Sequence, residues 1–156
     1  MPTQIRRERL SSTAAIGLIT ALNAELRGRY PNPVDCHFDL TAEEVVPGRG
    51  AFVVASEGGV DVGCGAVRLI AEGLAELKRL YVTPACRQRG IASAVLAFLE
   101  SEARRLGASR IVLETGIHSP DGLALFRHAG YGEIEKFGPY ADSLVSICMG
   151  KDLAAD

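Results

Sequence analysis

The 156-residue chain has no tryptophan, three lysines and no long apolar run. A membrane-crossing helix needs ~18 or more consecutive apolar residues. No stretch comes near that, so no membrane partner is expected. The first seven residues carry no apolar segment of the kind a secretory leader needs, which predicts a cytoplasmic protein. Neither sign of charge dominates: Lys and Arg number 17, Asp and Glu 19, and the net charge is −2. Nucleic-acid binders carry a basic field; this chain has none, and no nucleic-acid partner is expected. Cysteine is sparse. Cys36, Cys64, Cys86 and Cys148 form no C-x-x-C pair, and His37, although next to Cys36, does not complete a metal site. No metal is expected, and the thiols are expected to be reduced.

What the chain does have is a sizeable apolar fraction, 47%, beside 23% charged residues. That balance and length predict one globular domain spanning residues 1–156. No internal repeat, linker or low-complexity stretch interrupts it. The pattern predicts a first strand over residues 3–9, then a helix over 14–27 carried by Leu18, Leu22 and Leu26, with Ser11, Ser12 and Thr13 as candidate caps. Thr41 and Glu44 have the spacing of a capping box for a short second helix. Strands follow over 51–55, 60–70 and 74–82, the first two joined by a Glu57-Gly58-Gly59 turn. Gly63 and Gly65 lie inside the second of these, where glycine weakens a strand unless something packs on its backbone. In the third, alternation sets Leu74, Glu76, Lys78, Leu80 and Val82 on one face and Leu77, Arg79 and Tyr81 on the other. Residues 83–89 are a polar loop, and 91–106 read as the best helix, ended by Gly107. A strand over 110–114, a helix over 121–128 and strands over 131–137 and 144–149 complete a mixed α and β order.

The chemistry concentrates where the strand ending at Val82 meets that long helix. A helix N-terminus carries unpaired N–H groups and partial positive charge. A turn containing Gly90 lets the backbone wrap a phosphate there, and Arg87 and Arg89 supply guanidinium forks. Two readings stand: a pyrophosphate cradle, or a solvated basic turn that caps a helix. A single Gly rules out the dinucleotide G-x-G-x-x-G fingerprint. The chain contains no Lys-Ser or Lys-Thr pair, which rules out a P-loop.

Leu77-Lys78-Arg79-Leu80-Tyr81-Val82-Thr83-Pro84, followed by Arg87-Gln88-Arg89-Gly90-Ile91-Ala92, resembles the central motif of the GNAT superfamily, the acyl-CoA-dependent N-acetyltransferases. Leu113-Glu114-Thr115-Gly116 and the run from Ala124 to Tyr131 are similar to that superfamily's next strand and helix. The last 20 or so residues are similar to small bacterial members. The resemblance implies a mixed α/β fold with a central, mostly antiparallel sheet and helices on both faces. It implies a V-shaped split between the strand ending at Val82 and the one starting at Arg110, with acetyl-CoA as co-substrate lying in it. Leu80, Tyr81 and Val82 would then pair with the pantetheine arm, and the N–H of Val82 would face the oxyanion. Arg87, Gln88, Arg89, Gly90, Ile91, Ala92 and Ser93 would hold the pyrophosphate, while Ser119 and Phe126 would touch the cofactor. The implied reaction is transfer of an acetyl group to a primary amine of a small molecule or peptide. A homodimer is implied as a candidate assembly.

Such a transfer needs a neutral amine, donors for the oxyanion and a proton for the thiolate. Glu76 is the first candidate base, because burial in an apolar strand raises a carboxyl group's pKa. Its alternative is an ion pair with Lys78 or Arg79, or exposure to solvent. Glu114 is a second carboxylate in an apolar strand and reads as structural. The superfamily's usual acid, a tyrosine, is replaced here by Phe126, which has no proton to donate. Tyr140, Tyr81 or Tyr131 could serve instead, and Tyr140 could equally line the acceptor pocket. The missing tyrosine keeps a second function open, a CoA-binding sensor or scaffold without turnover, and an interaction domain that binds no CoA is a third.

Overall fold

The computed structural model describes residues 2–154. It is built from β1 (Thr3–Arg7), α1 (Thr13–Arg29), β2 (Gly50–Glu57), β3 (Val60–Ala71), β4 (Leu74–Val82), α2 (Ile91–Arg105), β5 (Arg110–Gly116), α3 (Pro120–His128), β6 (Gly132–Ile134) and β7 (Ser146–Asp152). Short 3₁₀ turns lie at Pro33–Asp35, Ala42–Val45, Pro84–Cys86 and Gly138–Tyr140. The seven strands form one sheet in the order β1-β2-β3-β4-β5-β7-β6, antiparallel throughout except for the parallel β4–β5 pair. The mixed class and mostly antiparallel sheet expected from the sequence are what the chain forms.

Local chemistry explains the element ends. Ser12 caps α1 by accepting from Ala15 N–H at 3.0 Å, which satisfies one of the helix's unpaired donors. Gly58 and Gly59, both at positive φ, make the tight β2–β3 turn. The 41–44 spacing does form its box, with Glu44 accepting from Thr41 N–H at 2.9 Å, but the turn it starts is a four-residue 3₁₀ helix. The last two strands differ from the alternation reading: β6 is three residues long and β7 runs on to Asp152.

Successive residues of a strand face opposite sides. On β2, Phe52 and Val54 join Ala15, Leu18 and Leu22 of α1, while Val53 and Ala55 join Val95, Leu96 and Leu99 of α2. Helices therefore cover both faces. Gly65 is where α2 comes closest. A Cβ there would lie 2.8 Å from Leu99 Cδ1 and 3.0 Å from Val95 Cγ1, so the strand glycine read from the sequence is required by close packing.

Two features of β4 position the site. The first is a bulge. Lys78 pairs with Ala66 and Tyr81 with Cys64, so Arg79 and Leu80 together oppose Gly65. Arg79 has φ 61, a conformation a non-glycine residue seldom adopts. The bulge reverses the alternation. Ala75 and Leu77 face α2, but beyond the bulge Leu80 and Val82 do, and Lys78 and Arg79 both turn to the α1 face. This corrects the two-face assignment made from strict alternation. The second feature is the split. β4 pairs with β5 only from Leu74–Arg110 to Leu77–Leu113, and beyond that rung the strands diverge.

Candidate active site

A cavity of about 990 Å³ occupies the split. At one end lie Gln88 and the start of α2, at the other Glu114, His37 and Tyr140, with Leu80, Tyr81 and Val82 between.

The α2 end is made of backbone. Gln88 and Gly90 have φ 62 and 82, which winds the loop tightly into the helix. The first intrahelical bond runs from Ala94 N–H to Gly90 O, so Ile91, Ala92 and Ser93 keep N–H groups without a helical acceptor. All three line the cavity. An anion is favoured there by the open donors and the helix dipole.

Arg87 and Arg89, expected as phosphate forks, are both paired with carboxylates, although Arg87 stays in the cavity lining. Arg87 Nε donates to Val82 O at 2.9 Å, its Nη2 donates to Glu25 at 2.6 Å, and its guanidinium lies over the Tyr81 ring. It braces β4 against α1. Arg89 pairs with Glu57 at 3.0 Å and lies outside the cavity lining. Local spacing placed both beside the helix start but could not show the carboxylates that take them.

Val82 presents its backbone to the opening. Thr83 N–H donates to Val62 O, and Val82 lies opposite Gly63. Antiparallel ladders alternate bonded and non-bonded pairs, so Val82 N–H and C=O point away from β3 into the split. Arg87 takes the carbonyl, and the N–H remains for a ligand.

The far end carries the titratable groups. Glu76 is 2% exposed and does not line the cavity. Its Oε1 accepts from Arg68 Nε at 3.1 Å and Nη2 at 2.8 Å, and its Oε2 accepts from Tyr140 Oη at 2.8 Å. Arg68 also reaches Glu44 at 2.5 Å. The first-choice base is thus a buried, ion-paired carboxylate, and its partner is Arg68 rather than Lys78 or Arg79. Tyr140 does line the cavity, buried, with His37 and Phe137 rings packed edge-on against it. Burial and the Glu76 charge push its phenol pKa up, so it holds its proton toward Glu76.

Glu114 is the group the sequence reading passed over. It is the first residue of β5 beyond the last rung with β4 and it lines the cavity. Burial pushes its carboxyl pKa up to about 7, against a hydrogen bond from Ser146 Oγ at 2.7 Å and the charge of Lys78, with Glu76 adding to the rise. Lys78, the first β4 residue past that rung, is buried. Its Nζ lies 3.5 Å from Asp39 and 3.4 Å from Tyr140 Oη, and burial draws its pKa down.

Tyr30, at the end of α1, reaches β5 and α3 across the cavity. Its hydroxyl shares a 2.9 Å bond with Ser119 Oγ and accepts from His118 N–H at 3.1 Å. Ser119 and Phe126 line the wall formed by α3. The four cysteines are free thiols. Among the described residues no cluster of three His, Cys, Asp or Glu could hold a metal ion, and no helix is long and apolar enough to cross a membrane.

Comparison with known proteins agrees with this architecture. The sequence pattern of the Acetyltransferase (GNAT) family matches residues 18–131. An IAA acetyltransferase of Azospirillum brasilense is 35% identical over 150 residues, 96% of this chain and 97% of that protein. A crystal structure from Klebsiella pneumoniae subsp. pneumoniae MGH 78578, described as an acyl-CoA N-acyltransferase, superposes with a TM-score of 0.84 at 31% identity, covering 97% of this chain and 98% of that one. The fold is shared by the PaiA N-acetyltransferase of Thermoplasma acidophilum in complex with coenzyme A, at a TM-score of 0.71 and 18% identity over 97% of this chain and 99% of that one.

Proposed function

The chain belongs to the GNAT acetyltransferase family and is an acyltransferase, and from that premise we propose that it moves an acetyl group from acetyl-CoA to a primary amine by direct attack in a ternary complex. The observation that carries this reading is the unpaired edge of β4, with Val82 N–H turned into the split beside the open N-terminus of α2. The solved relative with coenzyme A bound shares the fold.

The pyrophosphate rests on the N–H groups of Ile91, Ala92 and Ser93 in the turn made by Gln88 and Gly90. The pantetheine arm adds to the β4 edge as a strand does, pairing with Val82. Running back from α2, the arm brings its thioester toward the fork, where β4 leaves β5. The acceptor amine enters beside Glu114 and Tyr140.

Glu114 is the base. A carboxyl with a pKa near 7 accepts a proton at neutral pH more effectively than an ordinary carboxylate. It takes one proton from the acceptor ammonium, directly or through water. The neutral amine attacks the thioester carbonyl, the C–N bond forms, and the oxyanion faces the unpaired edge of β4 near the fork. The C–S bond then breaks as the attacking nitrogen gives up its second proton; of the two protons lost by the ammonium, one ends on the thiolate and the other passes through Glu114 to solvent. Tyr140 shapes the pocket wall, and Glu76 with Arg68 fixes it in place.

A second reading, a CoA-binding domain without turnover, is favoured by Phe126 in the lining and by the commitment of the Tyr140 proton to Glu76. Calorimetric titration with acetyl-CoA and with CoA, followed by a free-thiol assay over an amine panel, separates them. One-site binding with thiol release supports the enzyme. Binding without release supports the second reading, and no binding at millimolar ligand overturns both.

A further inference from the structure

The acceptor half of the cavity holds a buried cation that the reaction does not explain. The bulge in β4 sets two consecutive cations, Lys78 and Arg79, on the same face, and both line the cavity with only 7% of their surface exposed. Lys78 has one ion-pair partner among the described residues, Asp39, whose side chain is 68% exposed. Arg79 has no carboxylate within ion-pair distance among the described residues, and Asp39 acts on it only from farther off. Its Nη2 meets the neutral Asn23 and its guanidinium lies 5.0 Å from the centre of the Phe38 ring. It stands between the main cavity and a smaller recess beside Phe38 and Leu40.

A buried charge without a counter-charge is costly. Among the described residues, the buried side-chain nitrogens and oxygens that lack a hydrogen-bond partner are Arg79 Nε and His37 Nε2. Both belong to cavity-lining residues of this half. Arg79 also sits in the left-handed region, at φ 61. Strain of that kind persists where surrounding structure enforces it and clusters at ligand sites. Strain, an unpaired cation and open donors therefore meet at Arg79 and His37, in the lining of the same cavity as Glu114.

Resting on the acetyl-transfer reading, we infer that the acceptor is an amino carboxylate: its amine faces Glu114 and the thioester, and its carboxylate meets Arg79, which has no ion-pair partner among the described residues, with Lys78 beside it. Asp39, exposed and 3.5 Å from Lys78 Nζ, gives way to the acceptor's carboxylate. His37 Nε2 supplies a further polar contact. A guanidinium beside an ammonium suits a planar carboxylate.

The test uses the whole purified chain, acetyl-CoA and matched acceptor pairs in a free-thiol assay. The pairs are phenylalanine with phenethylamine and 6-aminohexanoate with hexylamine. They differ by the carboxylate at short and long spacing. The expected result is a kcat/KM advantage of about ten- to a hundredfold for the carboxylate member of at least one pair, the range a charge-assisted hydrogen bond supplies. Arg79→Gln and Lys78→Gln each reduce that ratio toward one. Because Arg79 also holds the bulge to α1, a second measurement needs no variant: 3-phenylpropionate is expected to inhibit the wild-type chain at least about tenfold better than 3-phenylpropan-1-ol, on the same contact. An equal or reversed preference overturns the inference, and so does a preference that survives both variants. Acetyl-CoA binding with thiol release from neither member of either pair overturns it as well, leaving the cofactor site standing. Failure to bind acetyl-CoA instead overturns the acetyl-transfer reading beneath it.

Discussion

Tyr140 donates its phenolic proton to Oε2 of Glu76 across 2.8 Å, while Arg68 takes Oε1 of the same carboxylate through two nitrogens. Three of the about four acceptor directions of Glu76 are thereby filled, and the group is almost wholly buried. The arrangement joins β3, β4 and the 3₁₀ turn at Gly138–Tyr140. It makes the cavity wall rigid at the end where the acceptor enters.

Glu76→Gln accordingly acts on the fold before it acts on the reaction. The substitution leaves Arg68 half-paired with Glu44 alone, and breaking one side of a buried pair costs about 3 kcal/mol or more. Urea unfolding should show that loss. The pH–rate profile should keep its shape with its midpoint moved modestly down, because Glu76 does not touch the substrates but its charge adds to the rise of the Glu114 pKa. Loss of the pH dependence itself would return the base assignment to Glu76.

Glu114→Gln separates the same two quantities in the opposite sense. With Glu114 as the base, its replacement should lower kcat by about a hundredfold or more and flatten the rise in rate expected of the wild-type chain as pH passes about 7. Its folded-state pKa lies above the ordinary carboxyl value of 4.5. The unfolded chain therefore ionises first. Below the ordinary value both states are protonated and Glu114 has no linked effect. As pH climbs from there to about 7, ionisation increasingly favours the unfolded chain, and above that the penalty is constant. Glu114→Gln removes the penalty, so it should stabilise the fold at pH 8 relative to pH 4 by an amount of order 2 kcal/mol, read from thermal or urea unfolding. A variant that is less active yet no more stable at pH 8 would place the raised pKa elsewhere.

The cofactor end was more legible in the sequence than the acceptor end, and the reason is physical. A strand end, a glycine turn and a helix N-terminus are local, so residues 82–92 carry their own geometry. Gly63 and Gly65 likewise announced close approaches, which the Tyr81 carbonyl of β4 supplies at the first and α2 at the second. Glu114 did not announce itself. Its environment comes from Ser146, 32 residues away, and from Lys78 across the fork. The bulge at Arg79 is invisible to alternation because it appears only when β4 is set against β3. Without it Lys78 and Arg79 fall on opposite faces and the acceptor end cannot be drawn. Arg87 and Arg89 were misdirected for the same reason, since Glu25 and Glu57 reach them from distant parts of the chain.

Gly90→Glu tests the cradle. A Cβ at Gly90 meets no atom within 4 Å, so the new side chain has room, although φ 82 strains any residue but glycine by about 1 kcal/mol. Its carboxylate would stand where the pyrophosphate is expected. Affinity for acetyl-CoA should fall by about a hundredfold, as repulsion replaces an anion-binding site. Affinity for S-acetylpantetheine, which has no pyrophosphate, should change little. Equal losses for both ligands would mean that the substitution damages the pantetheine groove and that the helix terminus does not hold the phosphates.

Arg87 offers the complementary test, because the structure gives it a bracing role where the motif implied a phosphate contact. Its guanidinium ties Val82 O to Glu25 of α1 and covers the Tyr81 ring. Arg87→Ala and Glu25→Ala should therefore be non-additive in stability. A coupling of about 0.5–1 kcal/mol is the size expected of a partly exposed pair. Arg87→Ala frees Val82 O, and the ladder edge that receives the pantetheine arm loosens. S-acetylpantetheine and acetyl-CoA should then lose affinity by similar factors. That equality distinguishes a brace from a phosphate ligand: a residue that held the pyrophosphate would weaken acetyl-CoA alone, and its effect would shrink as salt screens the charges.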